Sequence, residues 1–304
     1  MLTKHAHKGL VWVDLETPTE DELRKVATDF RLNPLVAHEL SSPTPKPKVD
    51  LYRDYAYLIL HFPRARRAGE RHKELEIDFV VGKKFLITVR HGASEPFLVF
   101  GKLFDANSVL DKNGIGSHAG FIFFHLLSRL YESLHFELAG VKESLREIEE
   151  RTFSGEERAM VLALSRSSRD LLDFKRSISL HHDVLKSFEI AGRKLFGEDF
   201  GFHLHALIGE FVRVEHAISG NMAALTELRE TNNALLSTKQ NEIMKTLTIL
   251  AFIALPATTV LSLFQIDTVS RPIVGLRFDF WILVLMVGCI AFGLYTWFRH
   301  KKWL

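Results

Sequence analysis

The sequence predicts an α+β membrane protein: an N-terminal α/β domain, long stalk helices and two transmembrane helices. Three observations carry this. The runs TLTILAFIALPATTVLSLFQI (246–266) and FWILVLMVGCIAFGLYTWF (280–298) contain no charged residue, and a helix crosses a bilayer core of about 30 Å with roughly 20 apolar residues. Before them lies a stretch with apolar residues at three- and four-residue spacing, and before that come short apolar runs bounded by turn residues. Two uncharged runs in tandem, flanked by charge, separate spans from the buried helix of a soluble protein.

Residues 1–118 form the expected cytosolic α/β domain. Leu10–Leu15 is a strand, and Thr17-Pro18-Thr19-Glu20 places a threonine N-cap, a proline at the first helical position and a glutamate three residues after the cap. That helix runs to about Phe30. The three prolines of 41–48 mark a loop. Tyr55–Phe62 is a strand, and 74–90 is a pair of strands joined at Gly82-Lys83-Lys84. Arg64, Arg66 and Arg67 sit in the turn before that pair. No aromatic residue interleaves with them, so solvated surface is the better reading than a nucleic-acid partner.

From Gly120 the period becomes helical. Leu126, Leu130, Leu134, Leu138, Val141, Leu145 and Ile148 make one amphipathic stripe. Ser154-Gly155 reads as a tight turn. A second helix follows from Gly155 to Ala191 with Leu162, Leu164, Leu171, Leu172, Phe174, Ile178 and Leu185, and 192–202 breaks the pattern. Residues 119–202 are thus expected to be an antiparallel long-helix pair. A third helix begins near His203 and meets no proline before Pro256. Its soluble part, 203–245, continues directly into the first span, giving a rod of roughly 96 Å at 1.5 Å per residue.

The first nine residues are polar and lack the apolar core of a signal peptide. Lys239 and Lys245 precede the first span; Arg299, His300, Lys301 and Lys302 follow the second. Basic flanks put both termini in the cytoplasm, with Arg299, Lys301 and Lys302 at the cytosolic interface of the tail 299–304. The short loop 267–279 carries Arg271 and Arg277 beside Asp267 and Asp279 and forces an antiparallel hairpin. The expected location is a bilayer, the inner or plasma membrane of a bacterium.

One hairpin cannot enclose a hydrated path, so conduction would need several copies around an axis. In the first span Asn241, Met244, Leu247 (or Thr248), Ala251, Leu255, Thr258 and Ser262 share one helical face that mixes small and polar with apolar residues. A pore lining would look like this. Helix–helix packing favours the same small residues, and periodicity alone does not choose.

The single cysteine, Cys289, excludes a disulfide framework and reads as a packing residue. Fifteen histidines raise the question of zinc. His203 and His205 point apart on a helix, adjacent His181 and His182 cannot share an ion, and only His5 and His7, if extended, could. No nucleophile with its base and no phosphate loop is visible, so an enzyme and a bound cofactor are not expected.

Trp12-Val13-Asp14-Leu15, Pro47-Lys48-Val49, Leu75-Glu76-Ile77-Asp78-Phe79, the run Val81 to Arg90, Asn241 to Ile249 entering the first span, Pro256 within it, and the ending Lys301-Lys302-Trp303-Leu304 stand in an order that resembles the CorA family of magnesium transporters over nearly the whole chain. The resemblance implies a funnel-shaped homopentamer with the first span lining the pore. Asn241, Met244, Leu247, Leu255 and Thr258 then face the axis, Leu247 and Leu255 as apolar constrictions. It also implies a divalent cation as cargo or regulator, bound in the family at acidic sites between subunits; which residues would ligate metal here is not specified.

At the outer mouth the chain departs from the family. Where the signature is Tyr-Gly-Met-Asn-Phe, this chain has Phe264-Gln265-Ile266-Asp267-Thr268. A neutral asparagine ring suits Mg²⁺, which sheds water reluctantly. An Asp267 ring would still attract cations but would be partly protonated by mutual repulsion; alternatively Asp267 only caps the span and pairs with Arg271. The expected function is passage of Mg²⁺, Zn²⁺ or Co²⁺ down their gradient. The alternative is a non-conducting membrane scaffold or regulator that kept the fold.

Overall fold

The computed structural model describes residues 1–44, 46–63, 74–109, 116–265 and 277–301. β-branched and aromatic runs make the sheet. Its strands are β1 (Leu2–His7), β2 (Leu10–Glu16), β3 (Lys48–Leu51), β4 (Tyr55–Phe62), β5 (Leu75–Gly82) and β6 (Phe85–Arg90), in the order β1-β2-β6-β5-β4-β3. Only the β2–β6 pairing among these is parallel, with Trp12 opposite Leu86 and Asp14 opposite Thr88. Pairing sets which residues share a face. Trp12, Leu58, Phe79 and Leu86 belong to the core packed on the long helices, while Val13, Tyr57, Val80 and Ile87 belong to a second core under two short helices. Strands covered on both faces read as continuous apolar runs, and β4 and β5 are buried throughout.

The short helices are α1 (Glu20–Asp29) and α2 (Pro34–Glu39). The cap of α1 lies two residues later than expected. Thr19 Oγ1 accepts from the Glu22 amide (3.3 Å) and the Glu22 carboxylate accepts from the Thr19 amide (3.0 Å). This reciprocal box outcompetes a Thr17 cap with Pro18 at N1, and Thr17 instead adopts φ 45°. β1, α2 and β3 were not foreseen. The loop expected over 41–48 is shortened by β3 at its end. The Arg64, Arg66 and Arg67 turn lies outside the described residues.

α3 (Glu95–Val109) was also not foreseen; it sets Phe97, Phe100 and Phe104 around Trp12. α4 (Ala119–Phe153) is the long amphipathic helix, closed at Gly155 with φ 96°, a conformation glycine adopts without strain. The second helix of the expected pair is two: α5 (Glu157–Ile178) and α6 (His181–Phe196). The Ser177 and Ser179 hydroxyls donate to the carbonyls of Asp173 and Arg176 (3.0 and 2.9 Å), and such local bonds compete with the helical ladder. The chain turns there and inserts His181 into the core. Leu162 and Leu172, read as core, are exposed. Gly192 does not break the helix; a Cβ there would come within 2.3 Å of Leu204 Cδ1, so glycine permits the close approach of the next helix.

That helix is α7 (Phe200–Gln265), 66 residues through Pro256 without interruption; α8 (Asp279–His300) follows the loop. The chain divides into two compact units, Met1–Arg229 and Glu230–Leu304. Each is described by itself.

Candidate functional site: an outward stripe on the membrane helix

Two helices, within α7 and in α8, are long and apolar enough to cross a membrane. In the membrane-spanning part of α7 the less exposed positions are Thr248, Ile249, Ile253, Pro256, Ala257 and Val260. On α8 they are Asp279, Leu283, Met286, Val287, Ile290, Ala291, Leu294 and Phe298. Both sets follow helical spacing. The helices meet where the Phe252 and Phe298 rings pack edge to face at 6.2 Å.

The seven residues read as a lining, Asn241, Met244, Leu247, Ala251, Leu255, Thr258 and Ser262, are all exposed. At 3.6 residues per turn they fall roughly opposite the Ile249–Val260 stripe. Nothing else among the unit's described residues covers them. The same exposure is shared by Leu250, Ala254 and Leu261 on an intervening face, so polarity distinguishes the stripe. Thr258 Oγ1 donates to the Leu255 carbonyl (2.9 Å) and Ser262 Oγ to the Thr259 carbonyl (2.9 Å). With their protons committed to backbone, these hydroxyls offer outward lone pairs, which suit a cation or its hydration water.

At the C-terminal end of α7, Gln265 is exposed in the last turn, and Arg277 is exposed in the turn before α8. Asp279 Oδ1 accepts from the Phe280 amide (2.7 Å), so it supports the first turn of α8. The side chain of Phe264, and Ile266, Asp267 and Arg271, lie outside the described residues, as does Lys302. Arg299 and Lys301 end α8 on the surface. Cys289 is exposed.

Among the described residues no three metal-ligating side chains converge. His5 and His7 do lie on an extended strand, but His5 Nδ1 is engaged by Asp105 (2.6 Å). His203 packs its ring against Phe121, Phe124 and Phe200. His181 has a role that reading for metal missed. It is fully buried: Nε2 donates to the His61 carbonyl (2.7 Å), and Nδ1 accepts from the Tyr131 hydroxyl (2.9 Å). Burial pushes its pKa down to about 3, so it is neutral at physiological pH. Burial also acts to lower the pKa of His61, but the Glu76 carboxylate 3.2 Å away, with Glu74, raises it on balance. The apolar spacing, read as one helix over 155–191, held no sign of this role.

A second buried polar group closes β2 on β6. Trp12 Nε1 donates to Thr88 Oγ1 (3.0 Å), which donates to Asp14 Oδ1 (2.7 Å). Arg90 Nη2 donates to Asp14 Oδ2 (2.9 Å) and Glu16 Oε2 (2.8 Å).

Comparison with known proteins agrees with this architecture. The chain is 22% identical to YfjQ of Bacillus subtilis over 96% of this chain and 89% of that protein. It is 20% identical to the cobalt/magnesium transport protein CorA of Thermotoga maritima over 99% of this chain and 88% of the relative. The complete structure of the CorA magnesium transporter from Methanocaldococcus jannaschii superposes with a TM-score of 0.84 at 18% identity, covering 97% of this chain and 92% of that one. Residues 7–301 match the family described as CorA-like Mg2+ transporter protein, a family of ion transporters rather than enzymes, and the chain belongs to it.

Proposed function

We propose that the chain is a metal-ion channel of the bilayer in which several copies, five by the family's pattern, surround an axis with the α7 stripe facing inward. Divalent cations pass down their electrochemical gradient. Mg²⁺ is the first cargo; Zn²⁺ and Co²⁺ are the alternatives, because Gln265-Ile266-Asp267 replaces the family's Gly-Met-Asn. The observation that carries the reading is the position of the stripe opposite the α8-facing side of α7, with the Thr258 and Ser262 hydroxyls presenting acceptors. Leu247 and Leu255 supply apolar constrictions on the same face, of the kind that gate by dewetting. Both termini lie on the cytosolic side, as the basic residues flanking the two spans favour.

Flux into liposomes holding the purified protein tests this, with Mg²⁺, Zn²⁺, Co²⁺, Na⁺ and Cl⁻ run in parallel and Asp267→Ala alongside. Divalent flux that drops in the variant supports a pore with Asp267 at its mouth. Folded, oligomeric protein that passes no ion would make the chain a scaffold with the transporter fold.

A further inference from the structure

In the first unit, α1 and α2 leave an open groove of about 610 Å³ between them. Ligand pockets commonly fall between about 300 and 1,000 Å³. The floor is apolar because Leu23, Ala27 and Ala37 line it, and the two alanines leave the space that longer side chains would fill. Arg24, Arg31 and His38 stand around that floor. Arg31 follows the C-cap of α1 with φ 51°, at a position where glycine is the usual occupant. A branched cation is held there against that preference, and it is one of the groove's walls.

Cationic side chains outnumber acids in the lining, Arg24 and Arg31 against Glu20. Neither Arg24 nor Arg31 pairs with a carboxylate among the described residues. The neighbouring acids Glu22 and Glu39 are occupied elsewhere, by the Met1 ammonium (3.6 Å) and by Lys48 Nζ (2.8 Å). Glu20 is the acid among the lining residues; along the chain it sits one turn from Arg24 and about three turns from Arg31. Thr28 Oγ1 donates to the Arg24 carbonyl (2.8 Å) and Ser41 Oγ to the His38 carbonyl (2.6 Å). The donors left for a ligand are therefore the two guanidiniums and the imidazole. Guanidinium forks match phosphate oxygens in two-point contacts. An apolar floor beside them has no use for a bare phosphate, but it accepts the face of a planar base.

We propose that this groove binds a nucleoside phosphate, its phosphates on Arg24 and Arg31 and its base on the floor formed by Leu23, Ala27 and Ala37. The site uses no residue of α7 or α8, so it stands or falls apart from the transport reading.

Calorimetric titration of the full-length protein in detergent with ATP tests it, using EDTA to keep divalent ions away and AMP and inorganic phosphate as parallel titrants. Saturable ATP binding is expected, weakened at least about tenfold by Arg24→Ala and by Arg31→Ala, as the loss of a charged hydrogen-bonding group implies. Both arginines are exposed, so unchanged melting should confirm that these variants fold. Ala27→Trp, which fills the floor and leaves the charges, is expected to abolish ATP binding; if it fails to fold, the arginine variants still decide. AMP should bind more weakly than ATP, and inorganic phosphate more weakly still. Absence of saturable ATP binding, ATP binding indifferent to both arginines, or inorganic phosphate binding as tightly as ATP would each overturn the proposal.

Discussion

Met1–Arg229 and Glu230–Leu304 bury their side chains on different terms. In the first unit Trp12, Tyr57, Phe79, Phe123 and Phe188 are wholly enclosed by the same chain, and charged groups such as Asp14 and Arg90 find partners there. In the second, Phe252, Leu255, Trp281, Leu285 and Phe292 are each more than half exposed. Apolar surface on that scale is not left to water. The first unit carries the means of its own folding, and the second needs lipid or further copies of itself to cover its faces. The proposed path follows the same division: the unit that cannot complete itself is the one that holds the outward stripe.

The comparison breaks most readily at the buried ion pair. Arg90→Ala leaves Asp14 enclosed without its countercharge, and the expected loss is about 3–5 kcal/mol. Chemical denaturation of the full chain in detergent measures it; a loss below about 1 kcal/mol would mean that the first unit is not internally closed as described.

Acid is the next largest perturbation. The folded-state pKa of His181 is depressed, so its neutral form contributes stability that is fully present above the unfolded value of about 6.5. That stability is lost as pH falls from there towards about 3, with a limiting slope of about 1.4 kcal/mol per pH unit. His61 has a raised pKa and acts in the opposite sense, its contribution present below about 6.5 and lost as pH rises. Melting curves between pH 4.5 and 6.5 should steepen this way in the native chain and flatten in His181→Asn.

Thr19→Ala removes one half of the capping box and is expected to cost about 1 kcal/mol, read from the same denaturation curves. Thr258→Val should have the smallest effect on folding, within about 0.5 kcal/mol for an exposed position. Liposome flux of the divalent ion should nonetheless fall, because the outward acceptor is gone, whereas Thr258→Ser should keep it. Equal flux in both variants would remove the hydroxyl from the account.

Legibility in the sequence follows the same line between closed and open surfaces. β4, β5 and β6 were readable because both faces are buried, and α4 because its apolar stripe is clean. β1 was not: Leu2–Ala6 alternates between exposed and half-buried along an edge before the buried His7, with lysine and histidines that carry no apolar signal. α3 escaped because Leu98, Val99 and Leu103 are exposed beside the buried Phe97, Phe100 and Phe104, which blurs its period. The α5–α6 break has neither proline nor glycine to announce it and depends on where His181 must go. In the second unit the stripe was readable from period and residue size, but whether it faces water, lipid or another helix is decided by partners outside the chain. Resemblance to the family supplied the choice that periodicity could not.

The most direct test is cysteine accessibility along α7 in a Cys289→Ser background, with the protein reconstituted in liposomes and a membrane-impermeant, water-soluble thiol reagent. Single cysteines at Leu255, Thr258 and Ser262 sample the stripe, and those at Leu250, Ala254 and Leu261 sample the intervening face. The account predicts rapid modification with loss of flux at the first three and little reaction at the others. Equal or faster reaction on the intervening face would contradict the assignment of the stripe to an aqueous path.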